Sequence, residues 1–356
     1  MERALRPKNL FAAACLSLFC VASSCGGPAA PPPPAAPSAR PFDGTLSLLT
    51  YNIEGVPWPF AWNRPPAFGR IADRLRQLRA VGRNPQIVVL QEAFTADAQA
   101  IGREAGYRYV VAGPSEADAN AAPPDPLDLR YEAAASWWRG ETHGPEVGSG
   151  LMLLSDYPIL RIRRMAYPAF ACAGYDCLAN KGALLVTVRI PGAPAPVDIV
   201  TTHLNCRQHS GVSDARSLYA YGRQTAFLTD FVNRWHDPDL PLIVAGDFNA
   251  GHAPPRWTAL RQAIASWRGA APFQDAISDV VHQRIARGLP LPPDMHAILR
   301  RAEDWQFFSS GRAATLTALA VRIPFGHEAD GSQLSDHIGY TALYRLGAAR
   351  GANARS

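Results

Sequence analysis

The sequence predicts an α+β sandwich, two packed β-sheets with helices set outside them. Three observations predict it. Short apolar runs recur from Thr45 to Tyr344, a few longer stretches carry helical spacing, and several of the apolar runs end in polar residues that share one strand face.

The N-terminus stands apart from that pattern. Arg3, Arg6 and Lys8 precede the apolar run Leu10 to Ala22, which is too short to span a bilayer and has the layout of a secretory signal over residues 1–24. Export to the cell envelope or the medium is the expectation. Ala22-Ser23-Ser24-Cys25 resembles a bacterial lipobox, so Cys25 is either the lipidated first residue of an envelope lipoprotein or is lost or left free after ordinary cleavage near Ala22. Residues 25–41 are nearly all Pro and Ala, a stiff spacer without core-forming capacity. One domain follows over residues 42–346, and residues 347–356 are expected to be a disordered tail.

Within that domain, Thr45 to Ile53 reads as a strand, Phe68 to Val81 as a helix with Ile71, Leu75 and Leu78 on one face, and Gln86 to Gln91 as a buried strand. Tyr107 to Ala112, Leu151 to Ser155, Ala183 to Ile190 and Val197 to His203 are strand-like, and a helix runs from about Leu218 to Trp235. Leu242 to Gly246, Trp305 to Ser309 and Ile338 to Tyr344 complete the strands. The stretch Ser115 to Glu146 is loop-rich and marked only by Trp137-Trp138.

Composition is that of an ordinary globular protein, 47% apolar and 18% charged. Its net charge of +5, or +3 without the signal, is too small for strong tracking along a polyanion. Outside the signal and Cys25 the cysteines are Cys172, Cys177 and Cys206. Cys172 and Cys177, five apart in a Gly-containing loop, suit a disulfide; a zinc site lacks a second close Cys or His pair.

The strand ends carry the chemistry. Leu242-Ile243-Val244-Ala245-Gly246 delivers Asp247 and Asn249, two apart, to one face. Asn52 and Glu54 close the first strand, Gln91-Glu92 the third element, and His203 and Asn205 another; Ser335-Asp336-His337 opens the last. A buried unpaired carboxylate is costly, so five such ends point to one shared polar site at the sandwich edge. Its inventory is carboxylates, carboxamides and imidazoles without a serine or cysteine nucleophile. Oxygen ligands of this kind suit Mg²⁺, with Mn²⁺ or Co²⁺ as substitutes, and metal-assisted hydrolysis of a phosphoester.

The ordered set Tyr51-Asn52-Ile53-Glu54, Gln91-Glu92, Thr202-His203-Leu204-Asn205, Gly246-Asp247-Phe248-Asn249 and Ser335-Asp336-His337 resembles the endonuclease/exonuclease/phosphatase superfamily. The resemblance implies a four-layer α/β sandwich with the active site at one end of the paired sheets. It implies Glu92 as main metal ligand, helped by Asn52 and Glu54, with Asp336 on the metal side. Asp247 would orient or deprotonate the attacking water, Asn249 and His203 would hold phosphate oxygens, and His337 would act as acid or base. Asp304, opening Asp304-Trp305-Gln306-Phe307-Phe308, would be the partner of that last histidine or else a plain loop residue.

The chain holds only two lysines, Lys8 and Lys181. Gly174-Tyr175-Asp176-Cys177-Leu178-Ala179-Asn180-Lys181-Gly182 is similar to the Asp-and-Lys loop of neutral sphingomyelinases, where the pair switches the site on. Asp176, Lys181 and Asn205 are accordingly candidates for switching or for phosphate contact, against the alternative that Lys181 survives by chance in an Arg-rich chain. The expected substrate is a sphingomyelin-type phospholipid, met at a membrane through the lipid anchor by a protein expected to be monomeric. A nuclease, a phosphoinositide phosphatase and a membrane-anchored binding module stay open as alternatives. Trp58, Phe60, Trp62, Trp137 and Trp138 are candidates for a lipid interface or for core packing. Secreted sphingomyelinases carry an aromatic-tipped hairpin before the final Asp-His, and here Leu316 to Phe325 has Phe325 as its one aromatic residue.

Overall fold

The computed structural model describes residues 42–56 and 64–349. The signal, Cys25, the spacer, Trp58, Phe60, Trp62 and the last seven residues lie outside them. Twelve strands occur among the described residues: β1 (Thr45–Asn52), β2 (Ile87–Gln91), β3 (Tyr109–Ala112), β4 (Met152–Ser155), β5 (Ile159–Ala166) and β6 (Gly182–Val188), then β7 (Val197–His203), β8 (Leu242–Asp247), β9 (Gln274–Asp275), β10 (Asp304–Ser309), β11 (Ala314–Phe325) and β12 (Gly339–Ala348). Seven α-helices accompany them among the described residues: α1 (Arg64–Ala80), α2 (Ala96–Glu104), α3 (Pro126–Ala133), α4 (Asp214–Trp235), α5 (Pro254–Ser266), α6 (Ala276–Ala286) and α7 (Pro293–Arg301), with short 3₁₀ turns at Trp137–Arg139, Ala169–Ala171 and Gly174–Leu178.

The strands form two mixed six-stranded sheets, β11-β12-β1-β2-β4-β3 and β5-β6-β7-β8-β10-β9. Alternation along each strand divides the apolar residues between layers. Leu46 and Leu48 face the core between the sheets, together with Val186, Ile199 and Ile243, while Leu49 and Tyr51 turn to α1 and α2. On the other side Val244, Leu185 and Val200 pack against Leu228, Leu260, Ile277 and Ile298 of the outer helices. Helices, sheet, sheet, helices make the four layers.

Each sheet has one parallel pair at its centre, β1 with β2 and β7 with β8, with α1 and α4 as the crossovers. Parallel pairing sends both carboxyl ends to the same edge, so Asn52 stands opposite Gln91 and His203 opposite Asp247. Antiparallel β10 brings the start of its strand to that edge, with Asp304 opposite Asp247. Gly246 belongs to the strand and does not end it. A Cβ there would lie 2.1 Å from the Thr202 carbonyl oxygen of β7, so only glycine allows this approach just before the carboxylate.

One further difference from the sequence reading has a physical cause. β12 runs to Ala348, because Ala314 and Thr315 of β11 continue its ladder past Leu346. Leu316 to Phe325 lies within β11, and its one aromatic residue, Phe325, is buried in a stack on Tyr51 at 4.8 Å, in keeping with the departure from an aromatic-tipped hairpin read in the sequence.

At the opposite end of β7, the fully buried Asp198 accepts from Thr187 Oγ1 (2.5 Å), His236 Nδ1 (3.0 Å), Arg161 Nη2 (3.2 Å) and the Asp237 amide (3.2 Å). Burial alone would raise its pKa, but the bonds from His236 and Thr187 outweigh that and hold it below the usual carboxylate value. A depressed folded pKa means stability that is full above about pH 4 and is lost as pH falls through the folded value. Asp198→Asn is expected to cost about 3 kcal/mol at pH 7. The gap in thermal unfolding between the variant and the natural protein should narrow at pH 3; a gap independent of pH would contradict the assignment.

Candidate active site

The strand ends open into a cleft of about 1,030 Å³ lined by Glu54, Glu92, Asp176, Lys181, His203, Asp247, Asn249, Asp336 and His337. Nine of the residues expected from sequence therefore share one cavity. Asn52 and Asp304 lie directly behind it, both buried.

Asn52 is the hub. Its Nδ2 donates to Glu92 Oε1 at 2.9 Å and to Asp247 Oδ2 at 3.0 Å, and its Oδ1 accepts from the Glu54 amide at 3.0 Å. The oxygen expected to ligate metal is thus engaged with backbone, and the carboxamide instead brings two carboxylates to a common point. Glu54, Glu92 and Asn249 reach their places with φ of 52°, 60° and 48°; Ala302, two residues before Asp304, is the one other non-glycine residue with positive φ among the described residues. Such conformations cost about 1–3 kcal/mol each and persist where the surroundings enforce them, here around one cleft.

Electrostatics separates the groups. Burial pushes the Glu92 carboxyl up to about 7, with the Asn52 hydrogen bond opposing it only in part. Burial pushes the same way on Asp247, but His337 and His203 on either side outweigh it and hold the carboxyl down at about 2. Asp247 Oδ1 accepts from the Asn249 amide at 2.9 Å, and Oδ2 lies 3.5 Å from His203 Nε2 and 3.7 Å from His337 Nε2.

His337 Nδ1 meets Asp304 Oδ2 at 2.7 Å, so Asp304 is the histidine's partner and not a loop residue. Burial lowers the imidazole's pKa, yet the Asp304 and Asp247 carboxylates outweigh it and draw the ring up to about 10. Arg301 Nη2 sits 2.8 Å from Nε2. A guanidinium only donates, so this contact requires a ring whose single proton is on Nδ1, and it opposes the pull of the carboxylates. The hydrogen bond decides the tautomer while Arg301 is seated. His203 is driven down to about 4 by burial and then by Lys181, and is a neutral ring at pH 7. Lys181 Nζ approaches its Nε2 at 3.3 Å, and its Nδ1 is buried without a hydrogen-bond partner.

Lys181 pairs with Asp176 Oδ2 at 2.9 Å and donates to the Leu204 carbonyl at 3.1 Å. The disulfide Cys172–Cys177 closes the loop that carries Asp176, as the spacing suggested. Asn205 does not reach the cleft. It accepts from Ala173 N (3.0 Å) and donates to Cys206 O (2.7 Å), fastening that loop to the end of β7, so its part is scaffolding and not phosphate contact.

Asp336 donates its amide to Glu54 Oε2 at 3.1 Å and pairs with Arg301 at 3.1 Å at the cleft mouth. Asp247, Asp304 and His337 place three ligand-type atoms within 4.8 Å of one another. That trio is a poor cation site, because His337 Nδ1 is committed to Asp304. Glu92 fits a divalent cation better, since it lines the cleft together with Glu54 and Asp336 and so offers carboxylate oxygens of the kind such an ion takes.

Residues 49–337, which carry every group of this cleft named above, match the model of the Endonuclease/Exonuclease/phosphatase family. The chain belongs to the endonuclease/exonuclease/phosphatase family. It is 25% identical over 304 residues to a sphingomyelinase of Mycobacterium tuberculosis, covering 83% of this chain and 51% of the relative. The chain thus spans about half the length of the curated relatives it matches. Among solved structures, D. rerio TDP2 complexed with a single-strand DNA product is similar at TM-score 0.53, 15% identity, 85% of this chain and 99% of that one. A doubly substituted beta toxin from Staphylococcus aureus with bound magnesium ions is similar at TM-score 0.52, 15% identity, 83% of this chain and 98% of that one.

Two arginines of this family member escaped the sequence reading. Arg301 ends α7 and faces His337; Arg256 is buried and donates to the carbonyls of Asn205 (2.6 Å) and Asn249 (2.8 Å) while lying 4.5 Å over the Tyr221 ring. In a chain whose basic residues are almost all Arg, residue type alone does not single them out.

Proposed function

We propose that the protein is a divalent-cation-dependent phosphodiesterase that hydrolyses a sphingomyelin-type phospholipid to phosphocholine and ceramide. The observation that carries this reading is the Asp176–Lys181 pair, seated in the cleft with Lys181 against His203. The expected anchor at Cys25 and its spacer would hold the domain beside lipid, as an envelope lipoprotein or in secreted form.

Water attacks phosphorus and the bond to the ceramide oxygen breaks. Asp247, ionised throughout the working range, accepts the hydrogen bond of that water and orients it. Asn249 has one of its two side-chain N–H groups on the Leu204 carbonyl and offers the other to a phosphate oxygen. Arg301 has a better partner in the phosphate than in His337, and its departure lets the Asp304-held imidazole take up and deliver the proton the departing alkoxide needs. Glu92, with Glu54 and Asp336 beside it, would hold Mg²⁺, which supplies charge to the phosphoryl oxygens.

Phosphocholine release from sphingomyelin vesicles is expected to stop in EDTA and return with Mg²⁺, Mn²⁺ or Co²⁺. Glu92→Gln should lower the rate about a hundredfold or more and raise the Mg²⁺ concentration needed. Full activity in EDTA would end the cation reading.

A further inference from the structure

We propose that the turn Trp137–Arg139 docks the protein on a lipid bilayer with the cleft mouth towards the headgroups. Trp138 is 81% exposed and Trp137 57%, and the two rings meet edge-on at 4.7 Å. Large apolar side chains left this open mark an interaction surface when they cluster.

The turn is fixed to the cleft. Glu141, its side chain buried, accepts from Ser136 N at 2.7 Å and from Gly174 N at 2.9 Å, and pairs with Arg216 at 2.5 Å. Arg139 lies 5.7 Å over the Tyr175 ring, and Tyr175 lines the cleft beside Asp176. A surface touched at Trp138 is therefore one rigid piece with the loop that carries the partner of Lys181.

A bilayer is the occupant this patch fits. Tryptophan beside arginine is the composition of membrane–water interfaces, where the ring sits at headgroup level and the cation meets phosphate. Two tryptophans present at most roughly 500 Å². A stable protein interface needs about 800 Å² per partner. The apolar stretch Leu316 to Phe325 is paired along β12 and its one aromatic residue, Phe325, is buried, so it presents no aromatic side chain to a competing surface.

What docking delivers rests on the phosphodiesterase reading; docking itself does not. The full chain carrying Cys25→Ser, which removes any acyl anchor, is mixed with sphingomyelin/phosphatidylcholine vesicles, and binding is read by co-sedimentation and by quenching of tryptophan fluorescence with brominated lipid. Trp137→Ser/Trp138→Ser in the same background is expected to bind vesicles roughly tenfold more weakly. It should hydrolyse vesicle sphingomyelin correspondingly slowly and keep its kcat/KM on soluble p-nitrophenylphosphorylcholine. Unchanged vesicle binding overturns the proposal, and so does an equal loss on the soluble substrate, which would make the turn a support for the Asp176 loop. Concentration-dependent dimers that vanish in the variant overturn it in favour of a second copy. If neither substrate is hydrolysed by the unaltered surface while vesicle binding persists, the activity reading fails and the docking surface stands.

Discussion

Asp247→Asn is expected to lower kcat on the phosphodiester substrate by about three to four orders of magnitude, with KM within a few-fold and the fold retained. The carboxylate is the meeting point of the site: Asn52 Nδ2 at 3.0 Å, the Asn249 amide at 2.9 Å, and both histidines within 3.7 Å. The amide variant can keep the Asn249 bond through its carbonyl oxygen. It then turns an NH₂ towards Asn52, donor against donor, and loses the charge that orients water. A fall of less than tenfold in steady-state assays would remove Asp247 from the chemistry.

The second large effect is expected at Lys181, where Lys181→Met should reduce kcat about a hundredfold and Lys181→Arg should fail to restore it. Lys181 is 5% exposed, and its ammonium fits among three partners, the Asp176 carboxylate, the Leu204 carbonyl and His203 Nε2, at 2.9, 3.1 and 3.3 Å. A planar guanidinium on a longer stem cannot occupy that point, and removing the charge leaves Asp176 with the Cys206 amide alone. Full activity in Lys181→Arg would mean that this lysine is an accident of an Arg-rich chain.

Where the pattern is clean the fold was legible: Val197–His203 has the same two ends in sequence and in structure, because every residue of it is buried and the Pro-rich Ala193-Pro194-Ala195-Pro196 precedes it. β5 was not legible. It is an edge strand reading Ile-Leu-Arg-Ile-Arg-Arg-Met-Ala, half-buried throughout most of its length, so no alternation survives. α5 and α7 begin at Pro254 and Pro293, which look like loop punctuation until the proline is recognised as a first-turn residue. The site was legible as a set of residue types at strand ends, whereas Asp304 was a candidate only through the family resemblance, which places an Asp at the start of a short aromatic strand. Asn205 was misplaced because alternation breaks where the chain leaves β7, and its side chain turns to the disulfide loop. The orientation of the Asn52 amide, the positive φ of Glu92 and the approach of Arg301 to His337 arise from contacts between distant segments that no local pattern encodes.

The most direct test of the central claim offers the full chain, with Mg²⁺, vesicles of sphingomyelin, of phosphatidylcholine and of phosphoinositides alongside plasmid DNA, and measures product from each. The predicted result is phosphocholine from sphingomyelin, released faster than from phosphatidylcholine and about a hundredfold or more slower in Glu92→Gln, with intact plasmid. Nicked plasmid beside silent lipids would contradict it and make this cleft a nuclease site.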